Sequence, residues 1–273
     1  MNQIVVAVDF SKSSIHALDF AISIANNIGA DIHMIWVDKP TSSDSLYNEA
    51  PSQTRQEVIN RFNNLIEDSK KSFTKGKLSY KLRKGKIYNE ISSQAKLLKA
   101  DFIVAGAHGV SGFEEYWIGS NSYKIVTSAS CPVITIRSDF QFKDKLKKIV
   151  LPFDHTNETL LKVPFTTKFA KYFNPEIHLV GIYSTPLKTI QKKIDNNIEK
   201  VNQQLKAEKF KVHIEKIDSN TITNSIINYA EKINADLITI MTEQQKATTT
   251  MLGPYAQQIV NYSSVPIMSI QEF

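Results

Sequence analysis

The chain has 273 residues, 42% hydrophobic and 22% charged, with a net charge of +6. That length suits one large domain or two ordinary ones, and the balance is that of a globular protein rather than a disordered one. A single cysteine, Cys131, excludes an internal disulfide, and no apolar run approaches the roughly 20 residues of a membrane span, so no membrane partner is expected.

Met1-Asn2-Gln3 runs directly into the compact apolar run Ile4–Val8, without a charged-then-apolar leader pattern, so a cytoplasmic protein is expected. The run reads as a central strand that stops at Asp9. Ser11 or Ser13 can cap a helix whose apolar face is Ile15, Leu18, Ile22, Ala25 and Ile28, closed by Gly29. Ile32 to Val37 is a second strand. Pro40 to Ser52 is polar and loop-like. Val58, Phe62, Leu65, Ser69 and Phe73 mark a second helix.

The basic surplus raises nucleic acid as a partner. Its one clear cluster is Lys75, Lys77, Lys81, Arg83, Lys84 and Lys86. These alternate with Leu78, Tyr80 and Leu82, as on a strand with one charged face, and charge of this kind blunts an exposed sheet edge. No nucleic-acid motif accompanies it, and the edge-strand reading is preferred.

Ile87, Ile91, Ala95 and Leu98 give a third helix, and Asp101 to Ala105 a buried strand. Next comes G-A-H-G-V-S-G-F-E-E-Y-W-I-G-S-N-S, residues 106–122, then a fourth helix through Ala129 and a strand from Val133 to Ile136. Cys131, beside Pro132, reads as buried and structural. Strands alternating with helices imply parallel pairing in an α/β layer fold. A glycine-rich turn entering a helix suits a phosphate group, because the first helical N–H groups are unpaired and carry partial positive charge. The loop is neither a Walker P-loop nor G-x-G-x-x-G.

The second half repeats the first. Residues 148–154 (KIVLPFD) match 3–9 (QIVVAVD), and the alignment continues without a gap to Asp31 and Glu176. Ile222, Ile226, Ala230 and Ile233 correspond to Ile87, Ile91, Ala95 and Leu98, and Ala235-Asp236 to Ala100-Asp101. Two domains are expected, 1–140 and 141–273, joined through the charged stretch 138–148. Pro164 falls inside the second copy's first helix and predicts a late start or a kink.

The glycine spacing resembles the G-x2-G-x9-G-S/T signature of the universal stress protein family: Gly106, Gly109, nine residues from Val110 to Ile118, then Gly119-Ser120. The resemblance spans the chain as a tandem pair. It implies two five-stranded parallel sheets in strand order 3-2-1-4-5, helices on both faces, and pairing through the fifth strands as an intrachain pseudo-dimer. Further association into a homodimer and an unknown protein partner are left open. It also implies an adenine nucleotide, ATP or ADP with Mg²⁺, in the crevice where the winding reverses. By that resemblance Ala7, Val8 and Asp9 line the crevice, with the Asp9 carboxylate near the ribose or a metal-bound water. The Val37 backbone holds the adenine. The segment at Ala105, Gly106, Gly109, Gly119, Ser120, Asn121 and Ser122 cradles the phosphates, with the Ser120 and Ser122 hydroxyls as further donors. Asp9 can equally serve only the turn that follows it, and Ser120 can be a plain cap. His108 reads as a loop residue.

In the second copy Asp154 persists, but Met241-Thr-Glu-Gln244 replaces Gly106-Ala-His-Gly109 and Pro254 follows Gly253. That copy is not expected to bind ATP in the family manner. No convincing hydrolysis machinery is evident, with no phosphate-contacting lysine, no identifiable general base and no clustered carboxylates for two metals, so at most slow ATP hydrolysis is expected. The expected function is stress-response regulation by ATP binding at one N-terminal site. The alternative is an interaction protein acting through partners alone.

Overall fold

A computed structural model describes residues 1–38, 52–107, 119–242 and 252–271. The first half runs β1 (Gln3–Ala7), α1 (Lys12–Ile28), β2 (Asp31–Asp38), α2 (Ser52–Ser69), β3 (Leu78–Lys84), α3 (Ile87–Leu97), β4 (Phe102–Gly106), α4 (Ser120–Ser128) and β5 (Val133–Ile136). The second runs β6 (Lys148–Phe153), a 3₁₀ turn (Glu158–Leu160), α5 (Lys162–Ala170), β7 (Glu176–Tyr183), α6 (Lys188–Ala207), β8 (Lys211–Asp218), α7 (Ile222–Lys232), β9 (Leu237–Met241), α8 (Pro254–Tyr262) and β10 (Ile267–Ile270).

All ten strands form one sheet in the order β3-β2-β1-β4-β5-β10-β9-β6-β7-β8. Each half has the order 3-2-1-4-5 with parallel pairing, and the halves meet where β5 and β10 pair antiparallel, Thr135 opposite Ile267 and Val133 opposite Ser269. The expected pseudo-dimer is therefore a continuous sheet within one chain. The antiparallel junction points the carboxyl ends of the two parallel sets in opposite directions.

Alternation along the strands builds two cores. Ile4, Val6 and Val8 join Leu18, Phe20, Phe62, Phe102 and Val104 on one face, while Val5, Ile35, Ile91, Ile103, Ile125 and Val133 form the other. Both cores continue into the second half, through Ile149, Leu151 and Phe169 on the first face and Val150, Ile226 and Ile238 on the second. Side-chain contacts reinforce the seam. The Tyr123 hydroxyl oxygen accepts the Leu252 N–H at 3.2 Å, Phe102 meets Phe169 edge-on, and Gln271 donates to the Val126 carbonyl.

The repeat is visible in hydrogen bonding. Asp101 accepts the N–H groups of Asn2 and Gln3 at 2.6 and 3.1 Å, and Asp236 accepts those of Lys147 and Lys148 at 2.6 and 2.8 Å. The shared Ala-Asp pair thus ties the entry of each half's first strand to the entry of its fourth.

Local signals place the elements with few departures. Ser11 caps α1, its hydroxyl accepting from the Ser14 N–H, and Gly29 closes it in the left-handed region at φ 73°. The α2 helix stops at Ser69. Phe73, expected to continue its apolar face, instead follows a turn in which its N–H donates to the Ser69 carbonyl. Gly106 is the last residue of β4, opposite Ile136, rather than the first of the loop. The basic strand β3 lies at the sheet edge, paired among the described residues only with β2. Pro164 sits in the first turn of α5, which starts eight residues after Asp154, whereas α1 starts three after Asp9. The ring is tolerated there because first-turn N–H groups lack intrahelical partners.

Candidate functional site

The crevice of such a sheet lies beyond the carboxyl ends of the strands at the point where the winding reverses, here between β1 and β4. Ala7 and Val8 end the first strand, Ala105 and Gly106 the fourth. The structure thus gathers these residues with Asp9, Val37, Gly119, Ser120, Asn121 and Ser122 around one end of the sheet. Gly109 and His108 lie outside the described residues.

The edge of β2 offers its backbone there. The Val8 N–H donates to the Ile35 carbonyl at 3.0 Å, so Ile35 bonds the β1 side, while the Asp38 carbonyl bonds the β3 side through the Gly85 N–H at 3.0 Å. Alternate residues of a strand address the same neighbour. Val37 therefore points its N–H and C=O in the Ile35 direction, past the end of β1. A donor and an acceptor side by side match the edge of a purine.

On the other flank, α4 begins without a side-chain cap, because the cap position is Gly119. Gly119 closes the loop at its base: its N–H donates to the Ala107 carbonyl at 2.6 Å, and the Ala107 N–H donates to the Ile136 carbonyl at 2.8 Å. The Gly119 N–H is thus engaged with backbone, which departs from the expectation that it faces a phosphate. Ser122 departs as well. Its buried hydroxyl donates to the Gly106 carbonyl at 2.6 Å, fastening the helix to the end of β4, so its one O–H hydrogen is committed. Exposed Ser120 and half-buried Asn121 carry the first N–H groups of α4. These are the backbone donors that a phosphate can use.

Asp9 is exposed, and its Oδ1 accepts the Ser11 N–H at 3.0 Å, as in an Asx turn. Its own N–H donates to the Ser14 hydroxyl at 3.2 Å. The turn uses one carboxylate oxygen; a water of a hydrated cation can reach the other. The donor set of the crevice — paired peptide groups, uncapped helical N–H groups and one exposed carboxylate — fits a nucleotide with its hydrated Mg²⁺.

Gly106 has a different physical reason for being glycine from the one its motif suggests. A Cβ there would stand 2.4 Å from the Ser13 hydroxyl oxygen and 2.8 Å from Ser13 backbone atoms. The residue lets α1 settle directly on β4. Ser13 lies outside the glycine motif, and only packing reveals its part.

The universal stress protein family profile matches residues 1–137. The chain belongs to the universal stress protein family. Universal stress protein YxiE of Bacillus subtilis is 28% identical over half of this chain and 99% of its own length. A universal stress protein of Methanocaldococcus jannaschii is likewise 28% identical over half of this chain and 81% of its own. A crystal structure of a universal stress protein from Archaeoglobus fulgidus superposes with a TM-score of 0.79 at 19% identity, covering 99% of this chain and 98% of that one. This last likeness extends the fold across both halves.

Within this tandem family member the two crevices differ in bulk. Asp154 keeps the turn, its Oδ1 accepting the Thr156 N–H and hydroxyl at 2.8 and 2.6 Å. Around it, Pro152, Phe153 and Lys162 stand where the first half has Ala7, Val8 and Ala17. Met241 stands where Gly106 does, and the direct Gly106–Ser13 type of approach is replaced by the 3₁₀ turn and the delayed α5. Lys162, 2% exposed, donates from Nζ to the Thr159 carbonyl and hydroxyl at 2.7 and 2.8 Å and lies 4.6 Å from the centroid of the Phe153 ring. Burial lowers its pKa to about 7, against the opposing pull of Asp154. The lysine is a satisfied interior group that occupies space the first half leaves to small residues. The Ala17-to-Lys162 exchange was visible in the gap-free repeat alignment. Glu243 and Gln244 lie outside the described residues.

Proposed function

We propose that the first half, taken as residues 1–140, binds one adenine nucleotide as a regulatory ligand of stress physiology, and that the second, residues 141–273, does not bind ATP in this manner. The observation that carries the reading is the Val37 peptide edge, directed past the end of β1 at the same sheet end as the uncapped start of α4. The adenine edge pairs with Val37, and the phosphates lie at the N–H groups of Ser120 and Asn121 and against the glycine loop that includes Gly109. Ala7, Val8 and Ala105 form the floor. Mg²⁺ neutralises phosphate charge, with the Asp9 carboxylate reaching it through water. The proposed role is binding, with at most slow ATP hydrolysis. No helix among the described residues is long and apolar enough to cross a membrane; a cytoplasmic location is part of the proposal.

Denaturing purified protein and identifying the released nucleotide by mass spectrometry tests this. Near one ATP or ADP per chain supports it; two per chain overturns the reading of the second crevice. Protein lacking nucleotide is then titrated with Mg-ATP by calorimetry. Binding that Gly109→Glu with Gly119→Glu abolishes supports the site, and a silent titration refutes the nucleotide function in favour of an interaction protein.

A further inference from the structure

A cluster lies at the opposite, amino-terminal end of the second half's strands. Glu176 and His178 are on β7 and His213 is on β8, with His178 directly opposite His213 in the ladder. The two imidazoles stack at 4.6 Å. Their Nε2 atoms lie 3.9 Å (His178) and 3.2 Å (His213) from Glu176 Oε2. One ligand atom from each residue falls within 4.8 Å of the other two.

Both Nε2 atoms are buried and make no hydrogen bond. His178 is 6% exposed, so an unused imidazole nitrogen in its position is costly unless something meets it. Its other nitrogen, Nδ1, bonds the Tyr229 hydroxyl of α7 at 2.8 Å. That is the outer contact which orients a metal-binding histidine. Burial and the neighbouring His213 push the His178 pKa down to about 4, keeping its ring neutral with a lone pair available. The Lys211 hydrogen bond lowers the Glu176 pKa and keeps that group an anion.

The first half supplies an internal control. At the equivalent positions stand Asp31, His33 and, opposite it, Ser79. There both histidine nitrogens are satisfied: Nδ1 by the Ser79 hydroxyl at 2.8 Å and Nε2 by the Gln3 side chain. In the second half Gln3 is replaced by Lys148, whose Nζ turns away to the Ile233 carbonyl at 2.8 Å, and Ser79 by His213. The exchange removes the Nε2 partner of the histidine, passes its Nδ1 bond to the Tyr229 hydroxyl and adds a second imidazole.

We propose that Glu176, His178 and His213 form a binding site for a divalent transition-metal ion, Zn²⁺ being the best match, with one open coordination position. Tetrahedral zinc with bonds near 2.0–2.1 Å needs ligand atoms about 3.3 Å apart. The two histidine–Glu176 distances, 3.2 and 3.9 Å, lie near that spacing, and the set as a whole, within 4.8 Å, must draw together around the ion. Imidazole ligands favour zinc over Mg²⁺ or Ca²⁺, which require oxygen. Lys211 holds the other carboxylate oxygen, Oε1, at 2.5 Å. It and Lys148 oppose any cation electrostatically, so a metal that gains from nitrogen bonding has the advantage over one that relies on charge.

The test uses the full chain, stripped with a chelator and titrated with Zn²⁺ against a chromophoric chelator, with Co²⁺ absorption reporting nitrogen ligation. One Zn²⁺ per chain is expected, with a rise in melting temperature and no response to Mg²⁺. His213→Ala, whose side chain is partly exposed, should fold and lose the binding. Tyr229→Phe should weaken it about tenfold, the lower end for an outer-contact partner. His33→Gln in the first half should change nothing. No competition by the folded wild type, or an undiminished stoichiometry in His213→Ala and in a His178→Ala/His213→Ala double variant, overturns the site.

Discussion

Lys162 gives the sharpest energetic prediction. Its amine is fully enclosed, hydrogen-bonded twice to Thr159, and its pKa falls from 10.5 to about 7 because burial disfavours the charge. The unfolded chain therefore holds a proton that the folded chain releases between these two values. Stability must rise with pH across that window, and the deficit is complete below about pH 7. At about 1.4 kcal/mol per pH unit, the single group accounts for roughly 3–4 kcal/mol of change between pH 7 and pH 10. Lys162→Met keeps the length of the side chain and removes the charge. Urea denaturation of both proteins, followed by circular dichroism at several pH values from 7 to 10, reads the difference directly. The variant should be the more stable at pH 7, and its advantage should shrink by several kcal/mol as the pH approaches 10. Parallel pH profiles for the two proteins would refute the claim that folding neutralises this lysine.

Two further outcomes are expected. Gly106→Ala forces Ser13 backbone to move, because the added carbon would lie 2.8 Å from it; overpacking of this kind costs about 1–3 kcal/mol, read as a lower urea midpoint, and by shifting α1 should weaken the nucleotide binding proposed for the first half. Cys131 is buried, and burial raises its thiol pKa to about 12. A thiol reagent at pH 8 should leave it unmodified in the folded protein and label it fully in denaturant, and rapid labelling of the native chain would contradict the packing at the entry to β5.

Element positions were legible because their signals are local. Ser11 and Gly29 bound α1, the apolar spacing of Ile87, Ile91 and Ala95 marks α3, and the compact run Val133–Ile136 is β5 as written. The glycine spacing and the repeat identified the family and implied the strand order, hence where the crevice lies. Phe73 departs from the helical expectation because an apolar residue at helical spacing packs against the same core from a turn as from a helix.

The sequence by itself determined the tandem α/β architecture and which half keeps the glycine motif, since both follow from order and periodicity along the chain; the switch point came through the family resemblance that the glycine spacing carries. Only the tertiary structure decided what individual groups do. It assigned the Ser122 hydroxyl to the Gly106 carbonyl, made Gly106 a packing requirement of Ser13, and buried Lys162 against Thr159. It also brought His213 beside His178 and Glu176, 35 or more residues apart in the chain. Those roles depend on which unused donors, acceptors and lone pairs come within about 3 Å of one another. Distances that short between remote residues are set by strand register and helix packing, and neither is written in local spacing.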